Sequence, residues 1–286
     1  MSKVREMVMS IRFITSIKKI TQAMKMVSAA KLNRLNSKYT HVNEYFYEIS
    51  RISELLLTNP DDIQNVPIVN KCLVIVLTSD KGLCGAFNGR VIKGAMSEIA
   101  KFENKDIDIL PIGRKGFDFF KKRQSNVIDT YHNLFANLSF SAVSNLVDFL
   151  LEAFKNNVYS VVKIVYNGPK SLYNGDVNIK EFSSSFLHKL DDKPEVFRQG
   201  LLYIYEPDKA TIYNDLLVHL LKIRFYSIFL ESNFIENKFR MLAMGKATDN
   251  AEELIKNLKI KYNKARQSMI TREISEIISG FESIKP

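Results

Sequence analysis

After the apolar run Cys72 to Thr78 the chain continues S-D-K-G-L-C-G-A-F-N. This stretch sets a hydroxyl (Ser79), a carboxylate (Asp80), an ammonium (Lys81) and a thiol (Cys84) among Gly82, Leu83 and Gly85. Nucleotide-binding folds place phosphate loops at such a point, after a strand and before a helix, where free backbone N–H groups meet an anion. The residue order is neither G-x-x-x-x-G-K-[ST] nor G-x-G-x-x-G, so a tight strand-to-helix turn is the simpler expectation. No G-x-S-x-G elbow prepares a serine nucleophile. His41, His132, His188 and His219 are scattered without metal-ligand spacing. The adjacent carboxylates Asp61-Asp62, Asp191-Asp192 and Glu252-Glu253 point apart on a helix or fall in loops, which suits no acid–base pair. Cys72 and Cys84 form no C-x-x-C pair and are expected to be buried thiols. No catalytic group, cofactor or metal is therefore expected.

The elements that would position these residues are unusual in length. Residues 1–59 hold neither proline nor glycine, and 208–285 hold no proline and only Gly245 and Gly280. Proline costs about 3 kcal/mol and glycine about 1 kcal/mol inside a helix, so both spans lack the usual stop signals and predict two long terminal helices. At 1.5 Å per residue the second would run on the order of 110 Å. In the first, Val4, Met7, Ile11, Ile14, Ile17, Ile20, Met24 and Val27 recur at steps of three and four. The seam lapses at Ser28–Ala30 and resumes at Leu32, Leu35, Tyr39, Val42, Phe46, Ile49 and Ile52. The last helix matches it with Ala251, Leu254, Leu258, Tyr262, Ala265 and Met269, then Ile270, Ile274, Ile277, Phe281 and Ile284. The two stripes are expected to bury each other as a coiled coil, in a direction that spacing leaves open. The longer helix would outrun its partner, leaving an overhang with Ile277, Ile278 and Phe281 that needs an apolar sleeve.

Between them, from Pro60 to Pro207, β-rich runs alternate with helical ones, the pattern of an α/β domain. Strands are predicted at Cys72–Thr78, Ile107–Ile112, Val127–Thr130, Ser160–Tyr166, Val177–Phe182 and Leu201–Tyr205. Helices are predicted up to Ile99, near Phe117–Lys122 and over Val143–Phe154. The expected organisation is therefore 1–59 as one coiled-coil helix, 60–207 as a central mixed-sheet, Rossmann-like domain and 208–286 as the second helix. Ile212–Leu230, dense in apolar residues, should be buried on more than one side.

The chain has 286 residues, 46% of them hydrophobic, enough for a sizeable core, and no run of roughly 18 apolar residues that could insert in a membrane. Lys3, Arg5 and Arg12 sit where a secretory segment would be apolar. The formal charge is +10, and nine basic residues against Glu6 alone give residues 1–38 a net +8. Such a stripe suits an acidic protein surface or nucleic acid, but the aromatic interleaving of single-strand binders is missing, so no nucleic acid is expected. A hydrolase or kinase with helical extensions would need the phosphate loop that is not there.

Three separated motifs carry a resemblance. I-T-Q-A-M-K-M-V-S-A-A-K-L (Ile20–Leu32), S-D-K-G-L-C-G (Ser79–Gly85) and R-M-L-A-M-G-K-A-T-D-N-A (Arg240–Ala251), the last followed by Y-N-K-A-R-Q (Tyr262–Gln267), resemble in order the gamma subunit of the rotary proton-translocating ATP synthase. The resemblance spans nearly the whole chain. It implies an antiparallel coiled coil with an α/β domain at its foot, acting as the non-catalytic central shaft of the catalytic head. The implied partners are three alpha and three beta subunits around the helices, and the epsilon subunit and the ring of c subunits at the lower domain. Rotor–stator contact is implied for Lys18, Lys19, Met24, Lys25, Arg240, Asn263, Arg266 and Gln267, and an apolar bearing for Ile277, Ile278 and Phe281. Lys25 and Arg272 depart from the family pattern, where an acidic residue and Gln are more usual. The implied location is peripheral, on the cytoplasmic face of a bacterial inner membrane, without direct insertion.

Overall fold

A computed structural model describes residues 2–56, 71–102, 106–123, 125–129, 131, 133–169, 176–183 and 206–282. The chain divides into two units, Met1–Ala29 with Arg240–Pro286, and Ala30–Phe239. Two helices, α1 (Ser2–Leu56) and α5 (Lys209–Glu282), contribute to both. Their lengths follow from the absence of breakers. Asp208 starts α5 by accepting from the Thr211 N–H at 3.0 Å and from its hydroxyl at 2.7 Å.

The Ala30–Phe239 unit is built on a four-stranded sheet, β1 (Lys71–Leu77), β2 (Asp106–Ile112), β3 (Val161–Tyr166) and β4 (Asn178–Ser183), in the order β2-β1-β3-β4. β1 runs parallel to both β2 and β3, and β4 is antiparallel to β3. The helices α2 (Phe87–Ile99), α3 (Arg114–Lys122) and α4 (Phe140–Lys155) complete it. The continuous apolar run of β1 is explained by its position. Leu73, Ile75 and Leu77 enter a core with α4 and with Leu221, Phe225 and Phe229 of α5, while Cys72, Val74 and Val76 enter a second core with α2 and α3. The burial on more than one side expected over Ile212–Leu230 is found over Leu217–Ile235, while Asn214 and Asp215 are exposed. Glu98 of α2 is buried and ion-paired with Lys101 and with Lys163 of β3, the latter at 3.2 Å. Burial pushes its carboxyl up, and the hydrogen bonds and charges of the two lysines outweigh that and hold it below the ordinary value.

Within the Ala30–Phe239 unit α1 meets α5 around Asn43 to Phe46. Ser227 Oγ donates to Asn43 Oδ1 at 2.7 Å, and the Arg224 guanidinium lies 5.3 Å over the Phe46 ring. In the other unit Lys18 pairs with Glu252 at 3.1 Å, Thr248 Oγ1 donates to Thr21 Oγ1 at 2.9 Å, and Lys25 lies beside Gly245. Numbers on α1 rise as those on α5 fall, so the pairing is antiparallel.

Three expectations are corrected. Among the described residues of Val127–Thr130 there is no strand: Val127, and Tyr131 just beyond, make isolated bridges to β2, and the Ile128 N–H donates to the Ile109 carbonyl at 3.2 Å. The seam of α1 does not run through Ile17, Ile20 and Val27, which are 37%, 59% and 57% exposed; it runs through Thr21 and Ser28, at 9% and 2%. Leu254 likewise faces out at 52% while Ala251 is buried. Thr21 and Ser28, a heptad apart, lie on the face turned inward, and Ile20 and Val27 each precede one of them by a single residue, about 100° round the helix. The Thr21 hydroxyl donates to the Lys18 carbonyl at 3.0 Å. The strand expected at Leu201–Tyr205 lies outside the described residues.

Candidate functional site

The loop after β1 gathers the residues with the most chemical promise, and its groups are turned on one another. The Ser79 N–H donates to Asn88 Oδ1 at 2.9 Å, and Ser79 Oγ donates to the Lys81 carbonyl at 2.8 Å. Asn88 Nδ2 donates to Ser79 Oγ at 2.8 Å and to the buried Cys84 Sγ at 3.2 Å. Asp80 Oδ1 accepts from the backbone N–H of Arg114 at 3.2 Å and of Asn133 at 3.0 Å. The first of these is the N-terminus of α3, where a parallel α/β sheet would present amides to a phosphate. The position is filled by the chain's own carboxylate. Gly113, at φ +93°, lets the loop after β2 pass so close to β1 that a Cβ would collide with the Thr78 carbonyl oxygen. Thr78 Oγ1 then donates to the Ile112 carbonyl at 2.9 Å and accepts the Gly116 N–H at 2.8 Å. Ser79 to Gly85 is thus a strapped turn. Lys81 and Leu83 project from it, Leu83 being 64% exposed at φ +65°.

Among the described residues no group of three or more His, Cys, Asp or Glu comes together to hold a metal. His41 is exposed beside Glu44, His219 meets the Tyr45 hydroxyl at 3.1 Å, and His132 and His188 lie outside the described residues. Cys72 and Cys84 are both buried thiols. No helix among the described residues is long and apolar enough to cross a membrane.

The second candidate surface is the outer face of the Met1–Ala29 and Arg240–Pro286 unit. Lys19 and Lys25 are exposed and Met24 is half-buried, whereas Lys18 is turned into its pair with Glu252. Arg240 is half-buried, and Asn263, Arg266 and Gln267 are exposed. Every residue from 270 to 280 is exposed, with Ile277 at 71% and Ile278 at 54%. Phe281 ends α5, and its side chain lies outside the described residues. Sequence reasoning missed a further stripe, Met9, Phe13, Ile20 and Val27, between 57% and 67% exposed along one face of α1. Its signal was present: these residues share a face at steps of four and seven that the assigned seam partly used up.

A helix pair with apolar residues on its outside, joined in sequence to an α/β fold whose phosphate position is self-occupied, defines a class of chain built to be covered by partner proteins. A family model described as ATP synthase matches residues 3–284. Among curated relatives, the ATP synthase gamma chain of Amoebophilus asiaticus is 37% identical over 99% of both chains. That of Chloroherpeton thalassium is 35% identical over 100% of this chain and 99% of its own. Among solved structures, a chain of the Euglena gracilis mitochondrial ATP synthase, determined with OSCP, F1 and the c-ring, has a TM-score of 0.65 at 18% identity, covering 99% of this chain and 95% of its own. A chain of the Tetrahymena thermophila enzyme's central stalk and c-ring has a TM-score of 0.61 at 22% identity, covering 80% and 99%. The chain belongs to the ATP synthase gamma-chain family. It is accordingly a non-catalytic subunit of that complex, its central rotor.

Proposed function

We propose that α1 and α5 turn inside a ring of three alpha and three beta subunits, while the central α/β domain meets the epsilon subunit and the ring of c subunits. Proton flow through the membrane sector drives the rotation, which couples to ATP synthesis or hydrolysis in the surrounding head. The observation that carries this reading is the end of α5, where every residue from 270 to 280 is exposed although Ile270, Ile274, Ile277 and Ile278 lie within it. Apolar surface of that kind is stabilised by a partner, and a contact without directional bonds suits a surface that slides. Ile277, Ile278 and Phe281 form this bearing.

The rotor–stator contacts fall to Lys19, Met24, Lys25, Arg240, Asn263, Arg266 and Gln267, with Lys18 acting from within its Glu252 pair. The exposed lysines belong to the +8 stretch and face acidic surface on the stator, an attraction that redistributes as the rotor turns. The domains are 1–59, 60–207 and 208–286. The bacterial relatives support a place on the cytoplasmic face of a bacterial inner membrane, held there through the c-ring.

Charge reversal tests the contact. Lys19→Glu and Lys25→Glu, alone and together, are expected to lower ATP-driven proton pumping per ATP hydrolysed in the assembled enzyme, with thermal stability unchanged. Undiminished pumping in the double variant would remove the electrostatic contact from the proposal.

A further inference from the structure

Glu231 lies on α5 directly after Ile228, Phe229 and Leu230, all buried, and its carboxylate is drawn into a seam between four segments of the Ala30–Phe239 unit. Its Oε1 is seated over Gly168, so close that a methyl group there would come within 2.8 Å of it, and the Asn178 amide closes over the same point. The Tyr166 hydroxyl, at the end of β3, donates a hydrogen bond to the carboxylate. The other titratable or charged groups that face it are Tyr39 of α1, Lys180 of β4 and Arg224 of α5 itself. Tyr39 hydrogen-bonds to Asn43, which accepts from Ser227 of α5 at 2.7 Å, so the seam is closed on the α1 side as well. No side chain of this group belongs to the strapped turn or to the outer faces of the helices.

We propose that Glu231 is a proton-operated joint: gaining a proton, it tightens the hold of α1, β3 and β4 on α5, and losing the proton relaxes that hold. The chemistry is that of a carboxylate removed from water with two cations at its edge and two phenols beside it. Burial outweighs the attraction of Arg224 and Lys180 and the Tyr166 hydrogen bond, and pushes the carboxyl from 4.5 up to about 6. Burial likewise pushes Tyr166 up to about 12, so that hydroxyl stays a donor across the range in which Glu231 titrates. The sign follows. A carboxyl raised in the folded state binds more protons folded than unfolded between 4.5 and about 6, so the seam gains stability as pH falls through that window and gives it up as pH rises through about 6. The rotor's central unit therefore stiffens in acid, whichever partners grip the helices.

Hydrogen exchange in the assembled complex, followed over 161–169, 176–183 and 224–233, reads the joint directly. Protection factors in these segments are expected to rise on the order of tenfold between about pH 8 and pH 5. Glu231→Gln is expected to hold them at the acid level throughout. Arg224→Gln, which removes a favourable cation while keeping the carboxyl, should move the midpoint upward, and this arm stands if the glutamine variant does not assemble. A flat wild-type profile, a pH step that persists in Glu231→Gln, or a midpoint that falls in Arg224→Gln would each overturn the proposal.

Discussion

Asp80 shows how one residue decides between chemistry and structure. A carboxylate at the end of a parallel strand, next to the N-terminus of α3, occupies the place where other α/β proteins hold a substrate phosphate, and here it caps the Arg114 and Asn133 amides. The motif residues around it share this architectural role. Gly113 is the most exacting, because its φ of +93° is left-handed and its missing Cβ leaves room for the Thr78 carbonyl. Gly113→Ala is therefore expected to destabilise the chain by about 2 kcal/mol or more, seen as an earlier denaturant midpoint at unchanged slope. Asp80, Ser79 and Cys84 stood out in the sequence by type, but their partners did not. Asn88 is nine residues from Ser79 and Asn133 is fifty-three from Asp80, distances that only the folded sheet closes. Glu231 was harder still, for its burial depends on Gly168 and Asn178, which no local pattern links to it.

Helix length and antiparallel pairing put every part of α1 and α5 under one geometric rule. The inward track must recur at steps averaging 3.6 residues, so Thr21 and Ser28 are buried, Thr248 is half-buried and several isoleucines are exposed. The absence of proline, with no glycine in α1 and only Gly245 and Gly280 in α5, announces both helices. The alternation of Leu73, Ile75 and Leu77 with Cys72, Val74 and Val76 announced a strand covered on both faces. Most of the α1 seam is half-buried, and it departs from the expected track at Ile17, Ile20, Val27 and Ile52 because hydrophobicity alone does not distinguish burial within the chain from apolar surface left outside it. Val127–Thr130 differs for a related reason: a short apolar stretch has no means of showing that its pairing with β2 stops at isolated bridges. Gly245 gives the test at this scale. It is a helix-interior glycine in the pair, and a Cβ there would make ordinary contact with Lys25 Cε at 3.8 Å. Gly245→Ala should stabilise the chain by about 0.5–1 kcal/mol, measured as a raised thermal midpoint, since the alanine fits and restricts the unfolded chain. A loss of stability would mean that α1 and α5 approach more tightly here than this spacing allows.

For the molecule as a whole, the end of α5 separates what folding requires from what rotation requires. With Lys18 beside Glu252 in an antiparallel pair, the start of α1 at Ser2 comes level with the region of Met269, and α5 continues beyond it to Glu282. Among the described residues, 270–280 are accordingly all exposed, and substitutions there should leave the chain's own stability within about 0.5 kcal/mol. Their isoleucines gain only when another protein surrounds them. Ile277→Asp and Ile278→Asp are therefore expected to fold like the parent chain, with the same thermal midpoint. Each should weaken its hold in the catalytic head by about 2 kcal/mol, on the order of thirtyfold in dissociation constant. The check is a pair of measurements on the same preparations: thermal unfolding of the chain, and its retention by alpha and beta subunits through dilution. If the chain unfolds earlier in step with the lost retention, the isoleucines serve the fold. If retention falls alone, the overhang is a bearing surface, and the apolar residues that folding leaves outside are those that the motor uses.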